Sequence, residues 1–200
     1  MTKDWLSMTA STLGRGIEVG DIDPVELMEM YFETAKSHPF SDKIFARFTE
    51  GRALNESKSS RVRARKGTRK SLLDGVPISW KDLFDTAGVV TEAGSLLLEK
   101  RTPEIDADVL KNATDAGLVC FGKTHMSELA FSGLGVNPVT NTPPCINDFS
   151  AAPGGSSSGA AASVAFNLAV AGIGSDTGGS VRIPAAWNDL VGLKTTIGRL

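Results

Sequence analysis

Residues 153–182 read P-G-G-S-S-S-G-A-A-A-S-V-A-F-N-L-A-V-A-G-I-G-S-D-T-G-G-S-V-R, and this stretch is the most informative part of the chain. Its richness in Gly, Ala and Ser is typical of flexible linkers. Phe166 and Leu168, with the valines around them, are too apolar for a solvated linker. We therefore predict a buried helix over residues 160–171, whose small residues permit close packing.

The lengths of the segments in this stretch allow its two ends to meet. A helix of about twelve residues spans ~18 Å. Residues 172–176, if extended at ~3.3 Å per residue, return ~17 Å. Ser156 stands before the predicted helix and Ser180 follows the extended run. The two serines can therefore lie close together.

Ser180 follows Thr177, Gly178 and Gly179. Glycines let the backbone turn sharply, so that successive N–H groups can converge on one point. Such a cluster of donors is what the oxyanion of an acyl-transfer reaction requires. A plain Gly-rich turn is the alternative for this segment.

Ser156 follows Gly154 and Gly155. It could serve catalysis, or it could cap the helix that follows, a role that Ser157 or Ser158 could equally fill. The residues alone leave these alternatives open.

Lys81 ends the segment G-V-P-I-S-W-K-D, in which residues 76–80 form a short predicted strand after a turn. Apolar surroundings disfavour the charged form of a lysine and lower its pKa, which would make it a base. Asp82 and Asp85 would oppose this effect if they faced the ammonium group. The alternative is a surface lysine after a strand, the commoner situation.

The three segments, in this order, resemble those of the amidase signature family of amide hydrolases. The spacings of 75 and 24 residues (156 − 81 and 180 − 156) suit that family. The resemblance is strongest over residues 73–200 and weak before them. It implies an α/β fold with a mixed central sheet flanked by helices. Because enzymes of the family run to more than twice this length, we expect the fold to be incomplete at the C-terminus.

The resemblance also implies roles for single residues. Ser180 would be the nucleophile, Lys81 the base, and Ser156, placed after a cis peptide bond, the proton bridge between them. The N–H groups of Thr177, Gly178 and Gly179, with that of Ser180, would form the oxyanion hole. No metal or organic cofactor is implied.

The expected function is therefore hydrolysis of a small-molecule carboxylic amide through a covalent acyl-enzyme. One alternative is the glutamine-hydrolysing A subunit of a tRNA-dependent amidotransferase, which works with partner subunits. That subunit usually carries G-G-S-S-G-G and L-K-P-T-Y-G, whereas this chain has G-G-S-S-S-G and L-K-T-T-I-G. These differences favour a free-standing amidase. The other alternative is a catalytically inactive fragment.

Two further motifs compete with this interpretation. Residues 117–124 fit the phosphate-loop pattern G-x-x-x-x-G-K-[ST], but a predicted helix precedes them and an apolar strand fills the place of the flexible loop. Residues 155–159 fit the nucleophile elbow G-x-S-x-G, with Ser157 as the nucleophile. That fold requires a histidine after the serine, whereas His38 and His125 both precede Ser157. Both histidines are expected to be structural.

The remaining elements complete an alternation of helices and strands, which is typical of α/β proteins. Asp23 and Pro24 predict a helix start, and Pro39 ends that helix. We predict a more polar helix over residues 42–65, a helix over 106–116 and a strand over 118–121. Residues 1–72 are expected to form a helical region and residues 73–200 the N-terminal part of the catalytic core, together in one domain.

Composition limits the partners and the setting. A net charge of −2 gives no overall attraction for nucleic acid or anionic membranes. The basic run over residues 61–70 has no aromatic residue among its charges, so we expect a solvated helix end and no direct nucleic-acid contact. Cys120 is predicted to lie in the core and Cys145 in a loop, without a disulfide framework. The sequence shows no signal peptide and no membrane segment, so we expect a cytoplasmic protein. A homodimer is the assembly that we consider.

Overall fold

The computed structural model describes residues 4–199. Three short 3₁₀ turns accompany seven α-helices and four strands within these residues. The helices are α1 Ala10–Val19, α2 Pro24–Ser37, α3 Ser41–Ile44, α4 Glu50–Lys66, α5 Asp108–Asp115, α6 Ser158–Ala165 and α7 Arg182–Trp187. The strands are β1 Phe45–Phe48, β2 Pro77–Lys81, β3 Val119–Thr124 and β4 Gly172–Ile173.

The four strands form one mixed sheet in the order β1-β3-β2-β4. β2 runs parallel to both β3 and β4, whereas β1 runs antiparallel to β3. All five residues of β2 are buried, as expected of an interior strand covered on both faces. The prediction of a mixed sheet flanked by helices is confirmed.

The start of α2 follows the predicted capping chemistry. The Asp23 carboxylate accepts the backbone N–H groups of Val25 at 2.8 Å and Glu26 at 3.2 Å. Because this satisfies donors that have no partner within the helix, it stabilises the first turn. Tyr31 and Phe32 of α2 then pack against Phe121 of β3 in the main core.

The predicted helix over residues 42–65 is wrong in its first part. Residues 45–48 form β1, which pairs with β3 and lies between α3 and α4. The rings of Phe45 and Phe48 lie 5.3 and 5.7 Å from the ring of Phe121. The apolar contacts and the ladder of β3, which are distant in sequence, therefore outweigh the weak local preference for a helix.

The predicted helix over residues 160–171 also differs from α6, which ends at Ala165. The N–H groups of Leu168 and Ala169 both donate to the carbonyl oxygen of Ser163, and Asn167 takes a left-handed backbone conformation with φ 55°. These bonds satisfy the Ser163 carbonyl oxygen near the end of the helix, and the chain turns towards β4. The buried, small-residue character of α6 agrees with the prediction.

Other elements match their predictions within a few residues. α5 lies inside the predicted 106–116, and β3 extends three residues beyond the predicted strand. Cys120 is buried in β3 and Cys145 lies outside helices and strands, and both thiols are free. The division of the chain near residue 72 stays a prediction.

The basic run is not simply solvated. Arg61 pairs with Asp23 at 2.5 Å, and Arg63 pairs with the buried Asp74 at 2.6 Å. These pairs fasten the end of α4 to its neighbours. Within residues 4–199, every helix is too short or too polar to traverse a lipid bilayer.

Candidate active site

Lys81 ends β2 and its side chain is completely buried. Its Nζ donates to Ser156 Oγ at 2.6 Å and to Ser175 Oγ at 2.8 Å. Burial lowers the pKa of Lys81 from 10.5 to about 7, although the carboxylate of Asp176 opposes this effect. A substantial fraction of this amine is therefore neutral near pH 7.

Ser156 is fixed by the loop before it. The Gly155–Ser156 peptide bond is cis, the Gly155 N–H donates to Gly133 O at 2.8 Å, and the Ser127 N–H donates to Ser156 O at 3.1 Å. A Cβ on Gly155 would stand 2.5 Å from the Cα of Gly135, so only glycine fits this approach of two backbones. The hydroxyl of the buried Ser156 is thereby held against Lys81.

A backbone hydrogen bond to Ser157 holds Ser180 next to the segment that carries Ser156. The Ser157 N–H donates to the carbonyl oxygen of Ser180 at 3.1 Å. Among residues 4–199, no hydrogen bond joins Ser180 Oγ to Ser156 Oγ. The three predicted residues thus belong to neighbouring segments, with a direct side-chain bond between Lys81 and Ser156 only.

The capping alternative for the serines has no support at the start of α6. Ser157 occupies the N-cap position without a side-chain capping bond, and its hydroxyl donates instead to Ser175 O at 3.3 Å. Ser158 Oγ is buried and has no hydrogen-bond partner among the described residues. None of the three hydroxyls therefore caps the helix.

Asp176 organises the turn that carries Ser180. Its carboxylate accepts the N–H groups of Gly179 at 2.7 Å and Val181 at 3.2 Å, and pairs with the guanidinium of Arg182 at 2.9 Å. The hydrogen bond from Arg182 and these backbone donors hold the pKa of Asp176 well below its ordinary value. The carboxylate is therefore ionised at any pH near neutrality.

The predicted oxyanion donors differ in their present partners. The Gly179 N–H is directed at Asp176. Thr177 and Gly178 are exposed, and their N–H groups make no hydrogen bond within the described part of the chain. These two N–H groups are therefore free to meet a ligand atom.

Sequence reasoning gave no role to Ser175 or Asp176, although both lie in the segment G-S-D-T-G-G-S. A hydroxyl and a carboxylate beside the predicted nucleophile were the available signal. The carboxylates of Asp82 and Asp85 pair with Arg47 and Arg101, and the carboxylate that opposes the lowered pKa of Lys81 is that of Asp176.

The competing motifs are used structurally. Lys123 and Thr124 of the phosphate-loop pattern lie within β3 and are buried, so no loop is present to surround a phosphate. His125 Nε2 lies 3.1 Å from the Asp42 carbonyl oxygen, and the ring of His38 packs against Phe166. Within the described part of the chain, neither imidazole forms a hydrogen bond with the Ser157 hydroxyl. Residues 4–199 contain no group of three or more His, Cys, Asp or Glu side chains that could hold a metal ion.

An apolar groove of about 580 Å³ runs along α6 next to this site. Ser157, Gly174 and Val181 line one part of it, together with residues from the start of α1 and from α7. Lys81, Ser156 and Ser180 are outside its lining, so the groove borders the polar cluster rather than containing it.

Comparison with known proteins identifies the family. The family model Amidase matches residues 26–200. The chain belongs to the amidase family. Among similar curated proteins, the A subunit of glutamyl-tRNA(Gln) amidotransferase from Anaeromyxobacter dehalogenans is 42% identical over 94% of this chain and 38% of its own length. The corresponding protein of Streptococcus pneumoniae is 38% identical over 89% of this chain and 36% of its own length.

Solved structures of amidases share the fold. The peptide amidase PAM in complex with chymostatin has a TM-score of 0.89 and 32% identity, over 96% of this chain and 41% of its own. A crystal structure described as an amidase has a TM-score of 0.80 and 36% identity, over 90% of this chain and 41% of its own. The chain therefore spans about two fifths of the length of these relatives, which are named as amidases and as a subunit of an amidotransferase.

Proposed function

We propose that this protein hydrolyses a carboxylic amide with Ser180 as nucleophile, Ser156 as proton bridge and Lys81 as base. The observation that supports this most strongly is the buried Lys81 amine at 2.6 Å from Ser156 Oγ, with a pKa lowered to about 7. A base with a pKa near the working pH is effective in general acid–base catalysis.

In the first step, Ser180 Oγ attacks the amide carbonyl carbon while its proton passes to Ser156 and the Ser156 proton passes to the neutral amine of Lys81. The tetrahedral intermediate then collapses as its carbon–nitrogen bond breaks. The proton returns from Lys81 through Ser156 to the leaving nitrogen, which gives the free amine and an ester of Ser180. Water hydrolyses this ester by the same proton path, releasing the carboxylic acid and restoring Ser180.

The negative oxygen of the intermediate needs fixed donors. The unpartnered N–H groups of Thr177 and Gly178 supply two, and the Ser180 N–H is a third candidate. The predicted contribution of Gly179 requires its N–H to be shared with Asp176, to which it donates at 2.7 Å. We therefore assign Thr177 and Gly178 the larger part of this role.

A serine-directed fluorophosphonate tests the nucleophile. The purified protein is treated with the probe, and the adduct is mapped by mass spectrometry. We expect labelling of Ser180, loss of labelling in Ser180→Ala, and retention in the matched control Ser157→Ala. An adduct on Ser157 would instead support the nucleophile elbow, and hydrolytic activity without any serine adduct would refute both.

A second candidate function is glutamine hydrolysis as part of an amidotransferase. It is favoured by the curated relatives, several of which are named as the A subunit of glutamyl-tRNA(Gln) amidotransferase, at 36–42% identity. Release of ammonia or amine is measured with simple amides and with glutamine, by the protein alone and with the other components of such a complex. Turnover of a simple amide alone supports the free amidase. Turnover of glutamine only in the complex supports the amidotransferase, and no turnover in any setting supports an inactive fragment.

A further inference from the structure

A base and a carboxylate follow each other where β2 ends. Lys81 is the last residue of the strand, and Asp82 is the first residue of the turn after it, with its N–H donating to Thr124 O at 3.1 Å. Lys81 reaches Ser156, whereas Asp82 accepts Arg47 Nη1 at 2.6 Å and Lys123 Nζ at 3.1 Å. The Asp82 side chain is only 3% exposed, so water screens its charge poorly.

Four charged side chains form this cluster behind Lys81, which we call the Asp82 cluster: Arg47, Asp82, Glu92 and Lys123. Arg47 pairs with both carboxylates, and the Glu92 N–H also donates to Asp82 at 3.1 Å. Two cations thus face two anions. Removal of Arg47 would leave two carboxylates against one lysine.

The two cations of the cluster are not equivalent. Burial lowers the pKa of Lys123, although Asp82 opposes this effect. A guanidinium stays protonated at any pH at which the protein is folded. Arg47 is therefore the permanent compensating charge for Asp82.

We propose that Arg47 is a positioning residue for Lys81: by compensating the charge of Asp82, it leaves the buried amine beside Ser156 free to give up its proton. An uncompensated carboxylate at the adjacent residue would stabilise the ammonium form of Lys81 and so remove the base. This inference rests on the proposed function, because a neutral lysine matters only if Lys81 acts as a base.

The other groups around Lys81 agree with this assignment. Thr124 of β3 is the strand partner of Lys81, and it is uncharged. Ser156 and Ser175, which accept hydrogen bonds from Lys81, are also uncharged. Asp176, from the loop after β4, is the carboxylate that opposes neutral Lys81, and it is paired with Arg182. Each carboxylate next to the base is thus bound by an arginine.

Asp85, the remaining acidic residue in this part of the chain, pairs with Arg101 at 2.6 Å on the exposed side of the same loop. Within residues 4–199, no hydrogen bond or ion pair joins the Arg101 side chain to the Asp82 cluster. Arg101→Met therefore breaks an Arg–Asp pair on the same loop without touching Asp82, and serves as the matched control.

Carbon NMR of the protein labelled with [ε-¹³C]lysine measures the titration of Lys81 directly, with its signal assigned by its loss in Lys81→Met. We expect Arg47→Met to raise the pKa of Lys81 by about one. Asp82→Asn added to Arg47→Met should bring the pKa back towards the wild-type value. Arg101→Met should leave it unchanged.

An unaltered Lys81 pKa in Arg47→Met would overturn the proposal. So would a double variant that titrates like Arg47→Met, since Arg47 would then act by holding the loop and not through the charge of Asp82. If Arg47→Met does not fold, Asp82→Asn alone decides: the proposal requires a lower Lys81 pKa, and an equal or higher one refutes it. Because the titration needs no substrate, these results stand whether or not amide hydrolysis is found.

Discussion

Replacing Lys81 by methionine should stabilise the fold near neutral pH and destabilise it at high pH. A lysine in the unfolded chain has a pKa near ~10.4. The pKa of Lys81 in the fold is about 7, so at pH 7 the buried amine holds its proton only about half of the time, whereas the unfolded chain retains it almost completely. At about 1.4 kcal/mol for each pH unit between these values, this costs roughly 4 kcal/mol at pH 7.

Methionine removes that cost, but it also removes the hydrogen bonds of Lys81 to Ser156 and Ser175. At about 1 kcal/mol each, their loss offsets roughly half of the gain. The variant should therefore be more stable by about 2 kcal/mol at pH 7. Because the neutral form of Lys81 is the one that is buried, the wild-type protein becomes more stable as pH rises from about 7 towards the pKa of an unfolded lysine. The gain in the free energy of unfolding of Lys81→Met over the wild type should therefore shrink with rising pH, vanish near pH ~9 and reverse by pH ~10.

Urea unfolding of both proteins at several pH values between 7 and 10 measures this difference. Lys111→Met is the control, because the hydrogen bond to Asp115 raises the pKa of the exposed Lys111 and moves its titration above most of this range. The free energy of unfolding of Lys111→Met should differ from that of the wild type by the same amount at each pH. A Lys81→Met difference that is equally flat would show that Lys81 is charged in the fold, and the argument for a neutral base would fail.

Three further predictions concern the site. The rate of amide hydrolysis should rise with pH through about 7 in a pH–rate series. Lys81→Arg should abolish hydrolysis, since arginine stays protonated, and an active arginine variant would contradict the assignment. Asp176→Asn weakens the charge-assisted bonds to Gly179 and Arg182, so kcat should fall about 10- to 100-fold, as steady-state kinetics with an unchanged circular dichroism spectrum would show. Gly155→Ala should cost about 2 kcal/mol or more in urea unfolding, because its Cβ would meet a backbone atom at 2.5 Å; a neutral result would mean that the two loops can separate freely.

Local chemistry was enough to predict several elements. Asp23 and Pro24 predicted the start of α2, because a capping carboxylate and a fixed φ act within a few residues. The apolar segment before Lys81 predicted β2. The resemblance of three short segments indicated the family and selected Lys81, Ser156 and Ser180, of which the first two are joined by a hydrogen bond.

The errors lie where distant parts of the chain compete with local preference. β1 was predicted as helix because residues 42–65 are polar and nothing nearby in sequence shows that β3 offers its edge to Phe45 and Phe48. The end of α6 was placed too late for a similar reason. Apolar residues continue to residue 171, but the chain leaves the helix at Ala165 and pairs Gly172 with Ser79 of β2.

The sequence by itself determined the residue types of the site, the order of its segments and the apolar strand that carries the base. Only the tertiary structure decided the charge environment of that base. Asp82 is 35 residues from Arg47, and Lys81 is 94 residues from Ser175. Electrostatic interactions depend on distance in space and on burial, not on separation along the chain. Whether a lysine next to an aspartate can be neutral is therefore settled by which side chains the fold brings next to each of them.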